Sequence, residues 1–152
     1  MKCDGCTLCC KLIHIPWMNS PAGEYCKECN PNIGCNIFNT VNKNCLEYNC
    51  AYNQMENISV DLRPDKCHLI FEKLSENIFT GLLDIDNEIN DIVKRQINSL
   101  LKQGFSVSLS VFGEKIPMIF PREGKTGAEI FNEVKKILDK RNGSSNIHNR
   151  LN

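Results

Sequence analysis

The sequence predicts an α+β protein made of two unequal parts. All ten cysteines lie from Cys3 to Cys67, in a stretch rich in Asn, Gly and Pro that has no sustained helical or strand period. From His68 onward, apolar residues recur at strand and helix spacings. We therefore expect a loop-rich cysteine lobe over residues 1–66, an α+β lobe over 67–142 and a disordered tail over 143–152.

The α+β lobe begins with a pattern that predicts a β-hairpin and then a helix. Two apolar runs, Leu69–Lys73 and Ile78–Leu83, flank the polar turn at 75–77. A helical period follows, with Asp86 as the expected N-cap and Gly104 as the expected residue after the C-cap. The apolar positions of this helix are Ile85, Ile89, Ile92, Val93, Ile97, Leu100 and Leu101.

The next segment predicts two more strands. Residues Phe105–Val111 alternate apolar and polar side chains, and Gly113 with Glu114 suits a type II′ turn. The return strand is expected over residues 115–120. Because Pro117 cannot donate a hydrogen bond to a neighbouring strand, we expect this strand at the edge of the sheet.

A second helix closes the lobe. Thr126 and Glu129 have the spacing of a capping box. The apolar face predicted for this helix consists of Ile130, Phe131, Val134, Ile137 and Leu138. The order is ββαββα, and an antiparallel sheet with both helices on one face would bury these apolar positions.

The charge balance and the lack of a long apolar run indicate neither nucleic acid nor a membrane as a partner. The chain has 18 basic and 18 acidic residues in mixed order, so no basic surface for nucleic acid is indicated. The early apolar run Leu12–Ile15 is too short for a signal peptide or a membrane span. We therefore expect a cytoplasmic protein with no membrane segment, in which thiols stay reduced. Metal ions are the expected partners, and a protein partner is left open.

Nine cysteines are spaced like metal ligands. A two-residue gap lets both sulfurs of a C-x2-C pair reach one ion, and the lobe has too few apolar side chains to order its backbone without a cross-link. Eight thiolates would fill two tetrahedral zinc sites, and nine would fill a three-ion cluster with three bridging sulfurs. Cys9 and Cys10 are adjacent and do not easily bind the same ion, which favours more than one zinc. The candidate ligands are Cys3, Cys6, Cys9, Cys10, Cys26, Cys29, Cys35, Cys45 and Cys50.

An iron–sulfur cluster is the alternative cofactor. Cys3, Cys6 and Cys9 have the spacing of the first three ligands of a bacterial ferredoxin-type cluster, although the Cys-Pro expected for the fourth is missing. Cys45 or Cys50 would then complete the set. Such a protein would transfer electrons or assist a redox enzyme. Reduced thiols or disulfides without a metal form the third reading, but so dense a cluster in loops has no packing role.

Four segments resemble the YkgJ-like cysteine-cluster family. They are CDGCTLCCKL (3–12), NSPAGEYCKEC (19–29), GCNIF (34–38) and CLEYNC (45–50). The resemblance covers residues 3 to about 65 and implies chelation of zinc or iron, with no activity common to the family. The sequence departs from the family at residues 41–44, where an Arg-Pro pair is frequent, and this leaves the candidate ligands intact.

Other residues carry weaker signals. Cys67 lies outside the family pattern, at the expected start of the first strand, and we interpret it as a buried core cysteine. His14 is interpreted as an ordinary packed or surface histidine, with a ligand role as the alternative. Aromatic residues are expected to cover the metal lobe, namely Trp17, Tyr25, Phe38 and Tyr48. No set of nucleophile, base and orienting residue can be assembled, so the sequence does not decide whether the protein is an enzyme.

Overall fold

A computed structural model of the chain describes residues 5–38, 40, 43–56, 58–84 and 87–144, and its fold is α+β as expected. Short helices and a two-stranded ladder make up the cysteine-rich part, and a four-stranded sheet with two long helices makes up the other. The elements of the first part are α1 (Leu8–Leu12), β1 (Cys29–Asn30), β2 (Gly34–Cys35), α2 (Lys43–Glu47), α3 (Ala51–Gln54) and α4 (Pro64–Cys67). The elements of the second part are β3 (Leu69–Ser75), β4 (Ile78–Leu83), α5 (Asp91–Lys102), β5 (Ser106–Val111), β6 (Met118–Phe120) and α6 (Gly127–Ser144).

The sheet has the strand order β3-β4-β5-β6 and is mixed rather than antiparallel. The predicted hairpin is confirmed, because β3 and β4 pair antiparallel with Leu69 opposite Leu83. The all-antiparallel prediction is wrong at the next pair, where β4 and β5 run parallel with Phe79 opposite Val107. Helix α5 is the reason, because it carries the chain back to the end of the sheet where β4 began.

The two long helices lie on opposite faces of the sheet, so the prediction of a single covered face is also wrong. Val93 and Ile97 of α5 pack against Phe79, in a core cluster that also contains Leu69, Phe71, Leu83, Val107 and Leu109. Ile130 and Val134 of α6 pack against Ile78 on the other face. Because β4 and β5 present buried residues on both faces, one layer of helices could not cover them.

Helix α5 ends at the predicted glycine but does not begin at the predicted residue. The N-cap of α5 is Asn90, whose side chain accepts a hydrogen bond from the Val93 amide at 2.9 Å. Helix α5 therefore begins later than predicted, and the expected cap Asp86 lies outside the described residues. Gly104 is confirmed just beyond the C-cap, with a φ of 85°. Its amide and that of Phe105 donate to the last turn of α5, which closes that helix end.

The turn after β5 and the start of strand β6 differ from their predictions. The Glu114 amide bonds to the Val111 carbonyl, which places Gly113, with a φ of 88°, third in a type II turn rather than second in a type II′ turn. Strand β6 is an edge strand as expected, but it starts at Met118, after Pro117, and not at residue 115.

The capping box of α6 is confirmed, since the Thr126 amide donates to Glu129 at 2.8 Å and the Glu129 amide donates to the Thr126 hydroxyl at 3.3 Å. Phe131 is 41% exposed, so the prediction that it belongs to the apolar face of this helix is wrong. Helix α6 continues to Ser144, so it includes the first two residues of the predicted tail, and residues 145–152 lie outside the described part.

Helix α1 of the cysteine-rich part packs on the same face of the sheet as α6, whereas Ala51 of α3 and Cys67 of α4 belong to the cluster beneath α5. Leu8 and Leu12 of α1 are buried against Ile70 of β3. Gly23 approaches Phe112 so closely that a Cβ atom there would lie 2.6 Å from the ring. Two close-packed contacts therefore fix the cysteine-rich part on the sheet. No helix in the described ranges is long and apolar enough to cross a lipid bilayer.

Candidate metal centre

Helix α1 positions the adjacent cysteines. Leu8 and Leu12 lie one turn apart and face the sheet, where both are buried. With this apolar side fixed, Cys9 and Cys10 lie on the part of the helix that turns away from the strands. Their side chains reach the wall of a cavity inside the cysteine-rich part.

The next three cysteines are brought to the same cavity by backbone hydrogen bonds. The Cys26 amide donates to the Cys10 carbonyl at 3.0 Å, which joins this loop to α1. The Cys29 amide donates to the Cys26 carbonyl at 2.8 Å, which closes the turn of the C-x2-C pair. Strand β1 then pairs with β2, and Cys29 lies opposite Cys35.

Eight of the nine candidate ligands line one cavity of about 180 Å³. This volume is more than ten times the ~10–15 Å³ that one enclosed water requires. Cys3 lies outside the described residues, so the structure does not place it. The cysteines on the wall are Cys6, Cys9, Cys10, Cys26, Cys29, Cys35, Cys45 and Cys50.

The thiols surround the cavity but do not yet form a coordination shell. Among the described residues, no three Cys, His, Asp or Glu side chains lie close enough together to hold one metal ion. A tetrahedral zinc with bonds of ~2.3 Å to sulfur needs its sulfurs about 3.8 Å apart. Binding such an ion would therefore draw the thiols inward from the cavity wall. The thiols fit zinc in their chemistry and their number, but the distances between their sulfur atoms would have to shorten.

The cavity favours protonated thiols. The hydrogen bond that the Cys10 thiol donates to Cys9 raises the pKa of Cys10 well above its usual range, and burial and the charge of Cys9 add to the effect. Burial, followed by the proximity of Cys10, raises the pKa of Cys29 to about 12. Burial also raises the pKa of Cys45. At neutral pH these thiols are neutral, so a metal ion would have to displace their protons.

Two hydrogen-bond donors at the cavity wall lower the pKa values of thiols and so oppose the effect of burial. The Thr7 side chain is buried and offers Cys29 a hydrogen bond that lowers its pKa. The indole N–H of Trp17 acts in the same sense on Cys45. Both groups stabilise a thiolate over a thiol, which is the form that binds metal.

Cys6 has a different neighbour. Its side chain forms a hydrogen bond with Asp65, whose carboxylate is held by the Arg63 guanidinium through two contacts of 2.6 Å. Burial raises the pKa of Asp65, but the hydrogen bonds and charge of Arg63 outweigh it, so that this pKa lies below its usual range. A carboxylate favours Cys6 as a thiol donor. Ionisation of Cys6 would convert this contact into a repulsion.

Cys67 is a core residue, as expected. It is fully buried in the cluster beneath α5, and its thiol donates to the carbonyl oxygens of Leu62 at 3.5 Å and Leu69 at 3.4 Å. It lies at the end of α4, however, and not in the first strand. Burial raises its pKa to about 11. Cys67 is not among the residues that line the cavity.

Other side chains on the wall make the cavity largely apolar. Trp17, Phe38 and Tyr48 line it, as the sequence predicts, whereas Tyr25 is exposed. His14 also lies on the wall, within the same cavity as the thiols. The sequence placed this histidine near Cys9 and Cys10 along the chain, but only the fold shows that it faces the same space.

Sequence reasoning missed Thr7 and Asp65. Thr7 stands inside the first cysteine motif, where a hydroxyl between two candidate ligands is a usable signal for a donor to sulfur. Asp65 follows the Arg63-Pro64 turn, and no local pattern connects it with Cys6, which is far away along the chain.

The comparisons with known proteins do not add a family. The chain matches no family model, no curated protein and no solved structure.

Proposed function

We propose that this chain is a cytoplasmic metal-binding protein whose clustered cysteine thiolates hold more than one zinc ion, in a mainly structural or metal-handling role. The observation that supports it best is the convergence of eight candidate ligands on one cavity. A set of only thiols is the donor chemistry that zinc and iron–sulfur centres use. On this proposal the chain is a YkgJ-like cysteine-cluster protein.

The state of the thiols supports a metal over disulfides. The nine described cysteines form no disulfide with one another. This fits a reducing compartment such as the cytoplasm. A bound metal would also supply cross-links between the short helices and loops of the cysteine-rich part.

The number of thiols supports more than one ion. A single tetrahedral site uses four thiolates, and the cavity presents twice that number. Cys9 and Cys10 are neighbours in α1 and both face the cavity. Adjacent residues of this kind are best used by two ions or by a bridging sulfur.

An iron–sulfur cluster is the second candidate, and one observation favours it. The thiols share a single continuous cavity rather than two separate ones, as one compact cluster with cysteine ligands would require. Cys6 and Cys9 are on the wall, and Cys45 and Cys50 are available there as later ligands. The protein would then act in electron transfer or as an accessory to a redox enzyme.

Anaerobic purification followed by elemental analysis, absorbance spectroscopy and thiol titration tests the proposal. We expect about two or more zinc ions per chain, a colourless preparation and few reactive thiols. A brown preparation with a band near ~400 nm would establish the iron–sulfur alternative instead. Less than about one metal per chain with freely reacting thiols would contradict both.

The rate at which a chelator removes the metal, and the effect of that removal on the fold, distinguish a structural role from metal handling. If it is structural, a chelator should remove it slowly and the cysteine-rich part should lose its order, while the α+β lobe keeps its secondary structure. If the protein handles metal, zinc should leave quickly and the fold should persist. Hydrogen exchange measured before and after chelation separates these outcomes.

A further inference from the structure

Trp17 is held in a fixed position at the wall of the cavity. It lies in a single 3-10 turn, Pro16–Met18, and the flanking residues Ile15 and Ser20 form a β-bridge. The Ile15 amide donates to the Ser20 carbonyl at 2.9 Å, and the Ser20 amide donates back at 3.2 Å. Asn19 adopts a left-handed conformation, with a φ of 50°, that closes the turn. The indole is thus presented to the cavity by a closed loop.

The indole nitrogen is buried without a good acceptor. Trp17 Nε1 has almost no accessible surface, and it makes no hydrogen bond of normal geometry within the part of the chain that the structure describes. An indole N–H can only donate, and a buried donor without an acceptor is unfavourable. Such a group in a native fold calls for an explanation, often an absent ion or ligand.

The group beside this N–H is the sulfur of Cys45. Both residues line the cavity, and the N–H is near enough to that sulfur to lower the pKa of Cys45 although it forms no hydrogen bond of normal geometry with it. A neutral thiol is a weak acceptor, whereas a thiolate bound to a metal carries negative charge and accepts N–H hydrogen bonds well. The buried donor is therefore unsatisfied next to a thiol and would be satisfied next to a metal-bound thiolate.

We propose that Trp17 is a positioning residue of the metal centre, and that its indole N–H donates a hydrogen bond to the Cys45 thiolate when that sulfur binds the metal. This inference rests on the proposed function. The hydrogen bond fixes the orientation of Cys45, which lies in the short helix α2, and stabilises its charge inside an apolar cavity. Partners of this kind around a metal commonly change its affinity by 10- to 100-fold.

The single tryptophan of the chain makes a direct test possible. In the ¹⁵N–¹H spectrum of the full-length protein, one indole resonance is expected. Addition of Zn²⁺ should move this resonance downfield and slow its exchange with water in the wild type. In Cys45→Ser, the zinc-induced change should be absent. An indole resonance that stays unchanged while zinc binds would overturn the inference without any mutation of Trp17.

Affinity supplies the second measurement. Trp17→Phe keeps an aromatic ring at the wall and removes the N–H. We expect it to weaken Co²⁺ binding by about tenfold or more and to shift the thiolate-to-cobalt absorption band. Phe131→Leu is the control, because it alters an exposed aromatic residue of α6 that does not line the cavity, and the band should stay in place.

Loss of metal binding and loss of the role of Trp17 alone give different results in these experiments. If the wild type binds neither Zn²⁺ nor Co²⁺, the proposed function is wrong and the role of Trp17 falls with it. If the wild type binds both and Trp17→Phe matches its affinity and spectrum, only the role of Trp17 is wrong. A Trp17→Phe effect that is equally large in the Cys45→Ser background would also contradict it, because the proposed interaction is between these two residues.

Discussion

Lys11 Nζ and Asp84 Oδ2 lie 2.7 Å apart and form an ion pair between the two parts of the molecule. Lys11 follows Cys9 and Cys10 in α1, and Asp84 follows the last residue of β4. The Asp84 side chain is only 7% exposed, and its second oxygen has no hydrogen-bond partner among the described residues. The helix that carries two candidate ligands is thus tied to the sheet by a largely buried charge.

Breaking this pair should destabilise the fold. Lys11→Met leaves a buried carboxylate without its cation, and loss of one partner of a buried pair costs about 3–5 kcal/mol. Asp84→Asn should cost less, because the amide oxygen still accepts a hydrogen bond from Lys11. Urea unfolding followed by circular dichroism measures both.

Lys94→Met is the control for this comparison. Lys94 pairs with Asp91 at 3.2 Å on the exposed surface of α5, with side chains 61% and 86% accessible. Its loss should change the unfolding free energy by less than about 1 kcal/mol. Equal effects of Lys11→Met and Lys94→Met on the unfolding free energy would show that the Lys11–Asp84 pair stabilises the fold no more than an exposed pair does.

The register of the mixed sheet is tested at Gly81. A Cβ atom on this residue would lie 2.6 Å from Leu109 Cδ2 on the neighbouring parallel strand and 3.1 Å from Leu69 Cδ1 on the other side. Gly81→Ala should therefore overpack the core beneath α5 and lower the unfolding free energy by about 1–3 kcal/mol. Gly127→Ala is the matched control, because its nearest contact would be Ile119 at 3.9 Å. A neutral Gly81→Ala would contradict the close packing of Leu109 and Leu69 around Gly81.

Cys67→Ala should separate the core thiol from the candidate ligands. Removal of a buried sulfur that donates to two carbonyls should lower the unfolding free energy by about 1–2 kcal/mol. Metal content should not change, because Cys67 lies apart from the cavity. Cys35→Ser provides the contrast, since it should lower metal content. Loss of metal in Cys67→Ala would place Cys67 among the ligands.

The same residue gives a pH dependence with a definite sign. Burial raises the pKa of Cys67 from its ordinary value of 9.0 to about 11. Its contribution to stability is therefore complete below pH 9 and is lost as the pH rises toward 11. Relative to Cys67→Ala, the wild type should lose up to about 2–3 kcal/mol over this interval. Urea unfolding of both proteins at pH 8, 9.5 and 11, after metal removal, measures the difference.

Local patterns predicted the elements of the fold better than their assembly. The hairpin at Leu69–Leu83, the glycine at 104 and the capping box at Thr126 depend on neighbours in sequence, and all three are confirmed. The direction of β5 depends on where α5 returns the chain, and an alternating pattern such as that of residues 105–111 is equally compatible with a parallel or an antiparallel neighbour. For the same reason the sequence did not show that α5 and α6 cover opposite faces.

The candidate site also combines residues that the sequence predicted with contacts that it did not predict. Cysteine spacing identified the residues that the fold brings to one cavity, because ligand spacing is a local property. The contacts of Asp65 with Cys6 and of Trp17 with Cys45 join residues that are distant along the chain, so no spacing predicts them. The sequence expected Trp17 to cover the metal lobe, and the structure adds that its buried N–H lies beside a sulfur.

Native mass spectrometry of the chain after anaerobic reconstitution with Zn²⁺ measures the proposed zinc binding itself, because the mass gives both the number of ions and the number of protons displaced. We expect at least two zinc ions per chain, bound together, with loss of the protons of the thiols that hold them. A Cys9→Ser or Cys35→Ser variant should lower this number. A chain that keeps its metal-free mass in the presence of zinc, with every thiol protonated, would show that the cysteine cluster does not bind zinc.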